Sequence, residues 1–324
     1  MAKKTLTSYT CKLTEQQAAQ LEAYLLAHDY EMREIPHTRF AGHRDKLNVN
    51  YYTSGKLLVQ GKGTREFVEF VLEPEILKEA RLGYEAEINP DFILPRLGVD
   101  ESGKGDFFGP LVVAAVYVNE PVVRHWQEQG IKDSKRVTSD KRIAELAKII
   151  RTTPGCIWSV VPIGPESYNR MHAKMRTVNK ILAWGHARVI ENLLERRSEM
   201  KPAPERAISD QFARSKSTVA DALMELGRGL ELIQRHKAEE DLAVAGASIL
   251  ARDVFVQKIA ELSEKSGFLL PKGGGKQVDE VAKELVKTGG EKALNQIAKI
   301  HFRNASRALG LPESPRSDQI WRKK

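Results

Sequence analysis

The C-terminal two thirds of the chain alternates short apolar segments with longer amphipathic ones, and this pattern constrains the fold more than any other feature. Strand-like segments cover residues 97–100, 111–118, 157–163, 207–210 and 230–234. Helical patterns cover residues 139–152, 177–197, 218–227 and 241–264. Strands that alternate with helices predict an α/β domain with a mixed sheet flanked by helices.

No part of the sequence is apolar enough to be expected in a membrane. The longest uninterrupted apolar run is eight residues, 111–118, whereas a membrane-spanning helix needs about 20. The basic N-terminus is not followed by an apolar stretch, so no secretory signal is predicted. Two cysteines, Cys11 and Cys156, are too few for a disulfide framework or a cysteine zinc site. We therefore expect a cytoplasmic protein without a membrane partner.

The charge is basic and unevenly distributed. The formal net charge is +8 and the isoelectric point is about 9.3, which makes a polyanion a reasonable partner. Residues 31–65 contain seven Arg or Lys against three acids, and residues 66–90 contain two against seven. A small domain with faces of opposite sign would explain this contrast, and charge scattered for solubility explains it equally well.

The first 82 residues have the pattern of a separate β-α-β-β-β-α domain. Thr14 and Gln17 have the spacing of a capping box at the start of the first helix. A turn at residues 53–56 joins two alternating strands in a predicted hairpin. Thr64 is predicted to cap the last helix, and Pro74 to break or kink it. Residues 83–96 contain two prolines and are predicted to be a linker.

The residues that most strongly suggest chemistry are acids at the ends of predicted strands. Asp100 and Glu101 end one strand and precede a glycine-rich turn, Asp210 ends another strand, and Glu239 lies just before a helix. Neighbouring strand residues point to opposite faces, so Glu101 is expected to join Asp100 only if the glycines let the backbone turn. Each acid alone could be a helix cap. Together they favour a site for Mg²⁺ or Mn²⁺.

Two phosphate-binding loops are excluded in the same segment. The run from Gly98 to Lys104 nearly matches the nucleoside-triphosphate loop, but Gly105 replaces the hydroxyl residue that would bind magnesium. The glycines at 103, 105 and 109 nearly match the dinucleotide fingerprint, with one residue too many.

The ordered motifs of the chain resemble those of bacterial ribonuclease HIII, a family of type 2 ribonucleases H. They are Gly-Val-Asp-Glu-Ser-Gly-Lys-Gly-Asp-Phe-Phe-Gly-Pro from Gly98, Lys-Asp-Ser-Lys from Lys132, Ser-Asp-Gln-Phe from Ser209, and Lys-Ala-Glu ending at Glu239. Ala-Gly-Ala-Ser-Ile-Leu-Ala-Arg ends at Arg252. The sister family of type 2 ribonucleases H has Arg where this chain has Lys104, and it lacks the additional front domain. Both differences favour HIII.

The resemblance implies a domain plan. A domain similar to half of the TATA-box-binding protein fold is expected over residues 1–82, a linker over 83–96, a ribonuclease H-like domain over 97–310, and a flexible tail over 311–324. The front domain is expected to grip the substrate by its backbone. Tyr51 and Tyr52 in its strands could stack on bases or sugars, or could simply pack on the sheet.

The resemblance also implies an activity and a site. Family members cut the RNA strand of RNA–DNA hybrids with two divalent ions, Mg²⁺ or Mn²⁺, and leave 5′-phosphate and 3′-hydroxyl ends. Their four acidic residues correspond to Asp100, Glu101, Asp210 and Glu239. If the family motif is aligned one residue further along the chain, the fourth acid is Glu240 instead of Glu239.

The residues implied in substrate binding lie in two loops. They are Ser102, Gly103, Lys104 and Gly105 beside the acids, and Ser134 and Lys135 in the Lys-Asp-Ser-Lys motif. A monomer without an obligate protein partner is expected. Two alternatives stay open: a non-catalytic nucleic-acid-binding module in which the acids are caps, and an enzyme that cuts at single ribonucleotides in DNA.

Overall fold

A computed structural model describes residues 6–78, 92–131, 139–211, 217–236 and 238–312. The chain divides into a front unit, Met1–Ile93, and a second unit, Leu94–Lys324. Most of the predicted linker and nearly all of the predicted tail lie outside the described residues. Arg96, the last residue of the predicted linker, instead begins a buried strand.

The front unit is built on an antiparallel sheet with the strand order β1-β5-β4-β3-β2. Its strands are β1 (Ser8–Lys12), β2 (Glu31–Met32), β3 (Thr38–Arg44), β4 (Leu47–Tyr52) and β5 (Lys56–Gly61). Helix α1 (Glu15–Ala27) follows β1, and α2 (Thr64–Phe67) follows β5 and continues as a π-helix over Val68–Leu77. The predicted order of elements is present with one addition, the two-residue strand β2 that precedes β3.

Only one of the two helix caps predicted for the front unit is observed. At the start of α1, Thr14 and Gln17 form the predicted capping box, each side chain accepting a hydrogen bond from the other's backbone N–H. Thr64, however, is not a cap, because Gly63 precedes the helix and the Thr64 hydroxyl donates to the Gly61 carbonyl over 2.8 Å. Pro74 lies inside the π-helix and does not end it.

Among the described residues of the front unit, helices cover only one face of the sheet. Along β4, Leu47, Val49 and Tyr51 are buried in a core shared with α1 and the π-helix. The alternate residues Asn48, Asn50 and Tyr52 are half-buried on the opposite face. The period of two in burial thus separates an apolar face from a polar one. Tyr51 is buried in the core, so it packs on the sheet and is not exposed for stacking on a base or sugar.

The second unit contains the predicted mixed sheet, with the strand order β10-β9-β6-β7-β8. Its strands are β6 (Arg96–Ser102), β7 (Leu111–Val118), β8 (Ile157–Ile163), β9 (Arg206–Asp210) and β10 (Glu231–Arg235). Strands β6, β9 and β10 are parallel, whereas β7 is antiparallel to both β6 and β8. All five predicted strands are present with bounds that differ by at most two residues.

The helices of this unit agree less well with the sequence prediction. They are α3 (Glu120–Glu128), α4 (Asp140–Thr152), α5 (Pro165–Met175), α6 (Val178–Leu194), α7 (Ser217–Ala220), α8 (Leu242–Ser266), α9 (Lys276–Ile297) and α10 (Arg303–Leu309). The sequence prediction missed α3, α5, α9 and α10. It also extended α7 to residue 227, where the backbone N–H groups of Leu226 and Gly227 instead donate to Glu191 of α6 over 3.0 Å.

The first turn of α8 lies directly against β6. A Cβ atom at Gly98 would lie 2.1 Å from the carbonyl carbon of Ala243, so only glycine allows this approach. Beside this contact the wholly buried Arg96 donates through Nε to Asp241, 2.9 Å from Oδ2 and 3.1 Å from Oδ1. Asp241 is also the N-cap of α8 and accepts from the Ala243 N–H over 2.9 Å. The buried ion pair thus fixes the start of α8 at the start of β6.

We expect Asp241→Asn to destabilise the second unit strongly. Asparagine can still cap α8, but it leaves the buried Arg96 guanidinium without its counter-ion, which costs about 3–5 kcal/mol in other buried pairs. Urea unfolding followed by circular dichroism measures the loss. Glu240→Gln removes the same charge from the exposed neighbouring residue and should change stability by less than about 0.5 kcal/mol. Equal stabilities of the two variants would contradict this account of the pair.

Candidate active site

Two of the predicted acids are neighbours at the carboxyl end of the parallel strands. Strands β6 and β9 run parallel with Val99 opposite Ser209, so Asp100 and Asp210 are the next residues in this register. Strand β10 continues the same edge, with Arg235 opposite Asp210. The three parallel strands therefore end together, and their register brings Asp100 and Asp210 side by side.

Glu239 follows β10 in a single turn of 3₁₀-helix, Ala238–Glu240. The Ala238 N–H donates to Oδ1 of Asp210 over 3.4 Å, which ties this turn to the end of β9. In the run of three acids, Glu239 is half-buried, Glu240 is exposed and Asp241 is paired with Arg96. Glu239 is thus the partly buried acid whose chain neighbour contacts Asp210.

Glu101 occupies a position that differs from the sequence expectation. Strand β6 stays regular through Ser102, with Glu101 opposite Val113 of β7, so the backbone does not turn at Glu101. Asp100 therefore lies on the α8 face of the strand, where its carboxylate accepts from the Ser248 hydroxyl. Glu101 lies on the α6 face, where His186 Nε2 is 3.1 Å from its Oε2. The two carboxylates leave opposite faces of one strand end.

The ionised form of Asp100 is unfavourable at its position in the protein. Burial, followed by the charge of the adjacent Glu101, raises the pKa of Asp100 to about 7. Its own hydrogen bonds, from the Ser248 hydroxyl and from the Glu101 N–H at 2.9 Å, act in the opposite direction and only partly offset this effect. A bound cation would remove the penalty, and hard carboxylate oxygens suit a divalent ion such as Mg²⁺ or Mn²⁺.

Glu101 has partners that keep it ionised. Burial alone would raise its pKa, but the hydrogen bond and charge of His186, with a smaller contribution from Lys104, hold the pKa of Glu101 below its ordinary value. The Lys104 ammonium is 3.5 Å from Oε1, on the exposed side of the carboxylate. Glu101 thus contacts a buried imidazole through one oxygen and an exposed ammonium through the other.

The glycine loop after Glu101 combines glycines of two kinds. Gly103 and Gly109 have positive φ, and a Cβ there would lie 2.3 Å from the Pro110 carbonyl oxygen and 2.4 Å from the Ile259 side chain, respectively. At Gly105 a Cβ would meet no atom within 4 Å. The fold therefore requires glycine at 103 and 109, whereas at the exposed Gly105 and Lys104 the backbone is open to approach from solvent.

The same loop is anchored from the C-terminal part of the chain by Lys299, which is wholly buried. Its ammonium donates to the Gly109 carbonyl over 2.7 Å and lies 3.4 and 3.5 Å from the carbonyl oxygens of Pro110 and Phe108. Burial lowers the pKa of Lys299 to about 7. Asp106 of the loop also accepts from the Gly273 N–H over 2.6 Å. These contacts fix the loop that carries Lys104 and Gly105.

The acids do not form a closed metal cage. Within the described ranges, no three His, Cys, Asp or Glu side chains are arranged to hold a metal ion. The structure places Asp100, Glu101 and Asp210 where β6 and β9 end, and Glu239 in the adjoining turn. Ser102 is the last residue of β6. Ser134 and Lys135 lie outside the described residues. Across the part that is described, no helix is long and apolar enough to cross a membrane.

Sequence reasoning missed three residues that organise this site: His186, Ser248 and Lys299. Each is a single polar residue in a helical or C-terminal segment, without the spacing of a ligand motif. Only the packing of α6, α8 and the chain after α9 against the sheet places them near the acids and the loop. Among these three, Ser248 lies in the Ala-Gly-Ala-Ser motif, which gave a hint of its importance.

Comparisons with known proteins give consistent matches to type 2 ribonucleases H over most of the chain. The family model "Ribonuclease HII" matches residues 97–305, and a domain of unknown function, DUF3378, matches residues 9–81. The ribonuclease HIII of Chlamydia pneumoniae is 43% identical over 297 residues, 91% of this chain and 96% of that protein. The ribonuclease HIII of Protochlamydia amoebophila is 42% identical over 274 residues, 85% of this chain and 87% of that protein.

A solved structure shares the fold over nearly the whole chain. The crystal structure of Bst-RNase HIII in complex with Mn²⁺ has a TM-score of 0.64 and 30% identity, and the match covers 94% of this chain and 98% of that one. The fold predicted from the sequence, a ribonuclease H-like mixed sheet preceded by a small α+β domain, is confirmed.

We expect Asp100→Asn to stabilise the metal-free protein at high pH. The pKa of Asp100 is about 7 in the folded state and about 3.9 in an unfolded chain. Between these values the folded state binds more protons, so the wild type loses stability as the pH rises from about 4 to about 7. Asparagine removes this loss. In EDTA, the variant should have a clearly higher Tm than the wild type at pH 8 and a much smaller advantage at pH 5.

The control for this experiment is Asp221→Asn, which neutralises an exposed acid. Its Tm difference from the wild type should be small at both pH values. A Tm advantage of Asp100→Asn that does not grow with pH would contradict the burial of this carboxylate.

Proposed function

Since the chain belongs to the ribonuclease HIII family, and is thus an endoribonuclease of the ribonuclease H type, we propose that it hydrolyses the RNA strand of RNA–DNA hybrids with two divalent ions, Mg²⁺ or Mn²⁺. The products would carry 5′-phosphate and 3′-hydroxyl ends. The observation that carries the proposal is the pair of neighbouring strand ends at Asp100 and Asp210, with a buried carboxylate charge that a cation would neutralise. The Mn²⁺ in the Bst-RNase HIII structure supports the choice of ion.

The residues that would hold the ions are Asp100, Glu101, Asp210 and Glu239. Glu101 leaves the strand on the face opposite to Asp100, but at the strand end its charge still raises the pKa of Asp100, so the two carboxylates are close enough to serve one site. Asp100 is our choice for the shared ligand, because it lies between Glu101 on its own strand and Asp210 on the next. The tie between Ala238 and Asp210 favours Glu239 over the exposed Glu240 as the fourth acid. When bound, such ions activate a water molecule and stabilise the charge on the scissile phosphate and the leaving oxygen.

The glycine loop would distinguish RNA from DNA. That choice requires a contact to the 2′-hydroxyl group, and backbone groups of Gly103, Lys104 and Gly105, with Ser102 beside them, are our candidates. The open space around Gly105 supports the proposal, because the fold gives no reason for glycine there. The Lys104 ammonium would add a phosphate contact. Ser134 and Lys135 stay proposed backbone contacts on the strength of the family motif alone.

We expect Asp100→Asn and Asp210→Asn each to lower the cleavage rate by several orders of magnitude while hybrid affinity changes little. Loss of one ligand charge weakens metal binding, whereas most of the affinity for a duplex comes from phosphate contacts elsewhere. Cleavage of a labelled hybrid in Mg²⁺ or Mn²⁺ and anisotropy binding in EDTA measure the two quantities. Near-normal turnover of Asp100→Asn would refute the metal-site assignment.

The matched pair Glu239→Gln and Glu240→Gln tests the fourth acid within the same assay. Glu239→Gln should be inactive and Glu240→Gln active; the reverse result would move the ligand by one residue. A duplex containing a single ribonucleotide, incubated beside the uniform hybrid, shows whether the enzyme also cuts at isolated ribonucleotides. The remaining expectations, a monomeric enzyme in the cytoplasm, stay predictions.

The front unit is proposed to bind the duplex backbone through the sheet face that its own helices leave uncovered. Lys12 of β1 pairs with Lys56 of β5, and both are exposed on the face that carries Asn48 and Asn50. Not every cation of the basic stretch 31–65 is available. Arg39 forms an ion pair with Glu15 of α1 at 2.7 Å and lies over the ring of the core residue Tyr51.

We expect Lys12→Gln combined with Lys56→Gln to weaken hybrid binding and to make it less dependent on salt. Each lost phosphate contact lowers the slope of log affinity against log salt by roughly 0.9 for duplex DNA. Anisotropy titrations over a range of salt, in the Asp100→Asn background without metal, give the slope. Arg39→Gln with Arg33→Gln removes the same charge from residues paired with acids and should leave the slope nearly unchanged. Equal effects of both pairs would contradict the proposed binding face.

A further inference from the structure

We propose that His186 is a positioning residue of the active site, which orients the carboxylate of Glu101 for the metal. The inference rests on the proposed function, in which Glu101 is a metal ligand. It concerns a residue that belongs to none of the acidic or glycine motifs and lies on a different element, helix α6 (Val178–Leu194).

The contact between the two residues is direct and largely buried, since the Glu101 side chain is 12% exposed. His186 Nε2 lies 3.1 Å from Glu101 Oε2, and the imidazole is only 1% exposed. The packing of α6 explains how it reaches the strand end: at Gly185 a Cβ would lie 2.7 Å from Cγ2 of Val113, the residue of β7 that pairs with Glu101. A glycine beside the histidine therefore lets the helix approach the sheet closely enough for this hydrogen bond.

The two partners of Glu101 are not equivalent. Lys104 is 3.5 Å from Oε1, and its side chain is largely exposed, so this ion pair is weak and screened by solvent. The His186 contact is shielded from water, where a hydrogen bond to a carboxylate is stronger and more directional. His186 therefore determines the orientation of Glu101, while the Lys104 ammonium lies on the exposed side of the carboxylate, where it would meet a substrate phosphate.

Such a contact has a defined consequence for metal binding. Carboxylate ligands are commonly oriented by hydrogen bonds from residues that do not touch the metal, and loss of such a partner lowers metal affinity about 10- to 100-fold. Without His186, Glu101 would have to be ordered by the ion itself. If His186 were only a core residue, its replacement would change stability and leave metal affinity alone.

The test compares full-length His186→Ala and His186→Gln with the wild type. Calorimetric titration with Mn²⁺, without substrate, measures metal affinity directly, and hybrid cleavage over a range of Mn²⁺ concentrations gives the concentration for half-maximal rate. We expect His186→Ala to weaken Mn²⁺ binding about 10- to 100-fold, with the KM for the hybrid nearly unchanged at saturating metal. His186→Gln retains an N–H donor of similar reach and should recover most of the affinity.

A matched control separates orientation from packing. Leu182→Ala removes a buried side chain one turn earlier on α6; it should lower the Tm and leave Mn²⁺ affinity unchanged. If His186→Ala does not fold, His186→Phe, which fills the same space without a donor, takes its place. Mn²⁺ affinity equal to that of the wild type in the folded variant would overturn the proposal.

Glu101→Gln distinguishes failure of this inference from failure of the proposed function. If Glu101→Gln is inactive while His186→Ala binds Mn²⁺ normally, only the role of His186 is wrong. If Glu101→Gln retains full activity, the assignment of Glu101 fails first. In the Glu101→Gln background, His186→Ala should cause no further loss of Mn²⁺ affinity, because the two residues act through one contact.

Discussion

The buried ion pair between Arg96 and Asp241 is the constraint on which the arrangement of the candidate active site depends. A guanidinium without exposure to water is tolerated only with a close counter-ion. Because Asp241 also caps α8 and Gly98 admits the first turn of that helix, the pair sets the position of α8 on β6. Asp100 lies two residues after Gly98 on the same face, so the geometry of the pair extends to the first acid of the site.

From this anchor the other acids follow by strand pairing. The parallel register of β6 with β9 places Asp210 beside Asp100, and the turn before Asp241 carries Glu239. Asp241 fixes the end of that turn through Arg96, and Asp210 holds it through the Ala238 N–H. A residue with a purely structural role thus determines where a candidate ligand two positions earlier can lie.

The sequence was sufficient for the part of the site that depends on strand ends. Apolar runs with an acid at the last position predicted β6 and β9 and grouped Asp100 with Asp210 in one site; the parallel register of the two strands then places these acids side by side. The expected turn at Glu101 was wrong, since pairing with β7 keeps β6 regular to Ser102. His186 and Lys299 had no local signal: their roles arise from helix packing and from contacts more than 80 residues apart in the chain. Arg39 likewise had no local signal, because its partner Glu15 lies 24 residues earlier in the chain, on α1.

Asp100 and Glu101 lie on opposite faces of β6, so each carboxylate is oriented by a different helix. Asp100 is oriented from α8 through Ser248, Glu101 from α6 through His186, and the following loop from the C-terminal segment through Lys299. The carboxylates are therefore fixed by elements on both sides of the sheet, while burial, and after it the charge of Glu101, raises the pKa of Asp100. An arrangement that is rigid in position and unfavourable in charge would have little to reorganise when a divalent cation binds, so most of the relief of this unfavourable charge would contribute to the proposed metal binding.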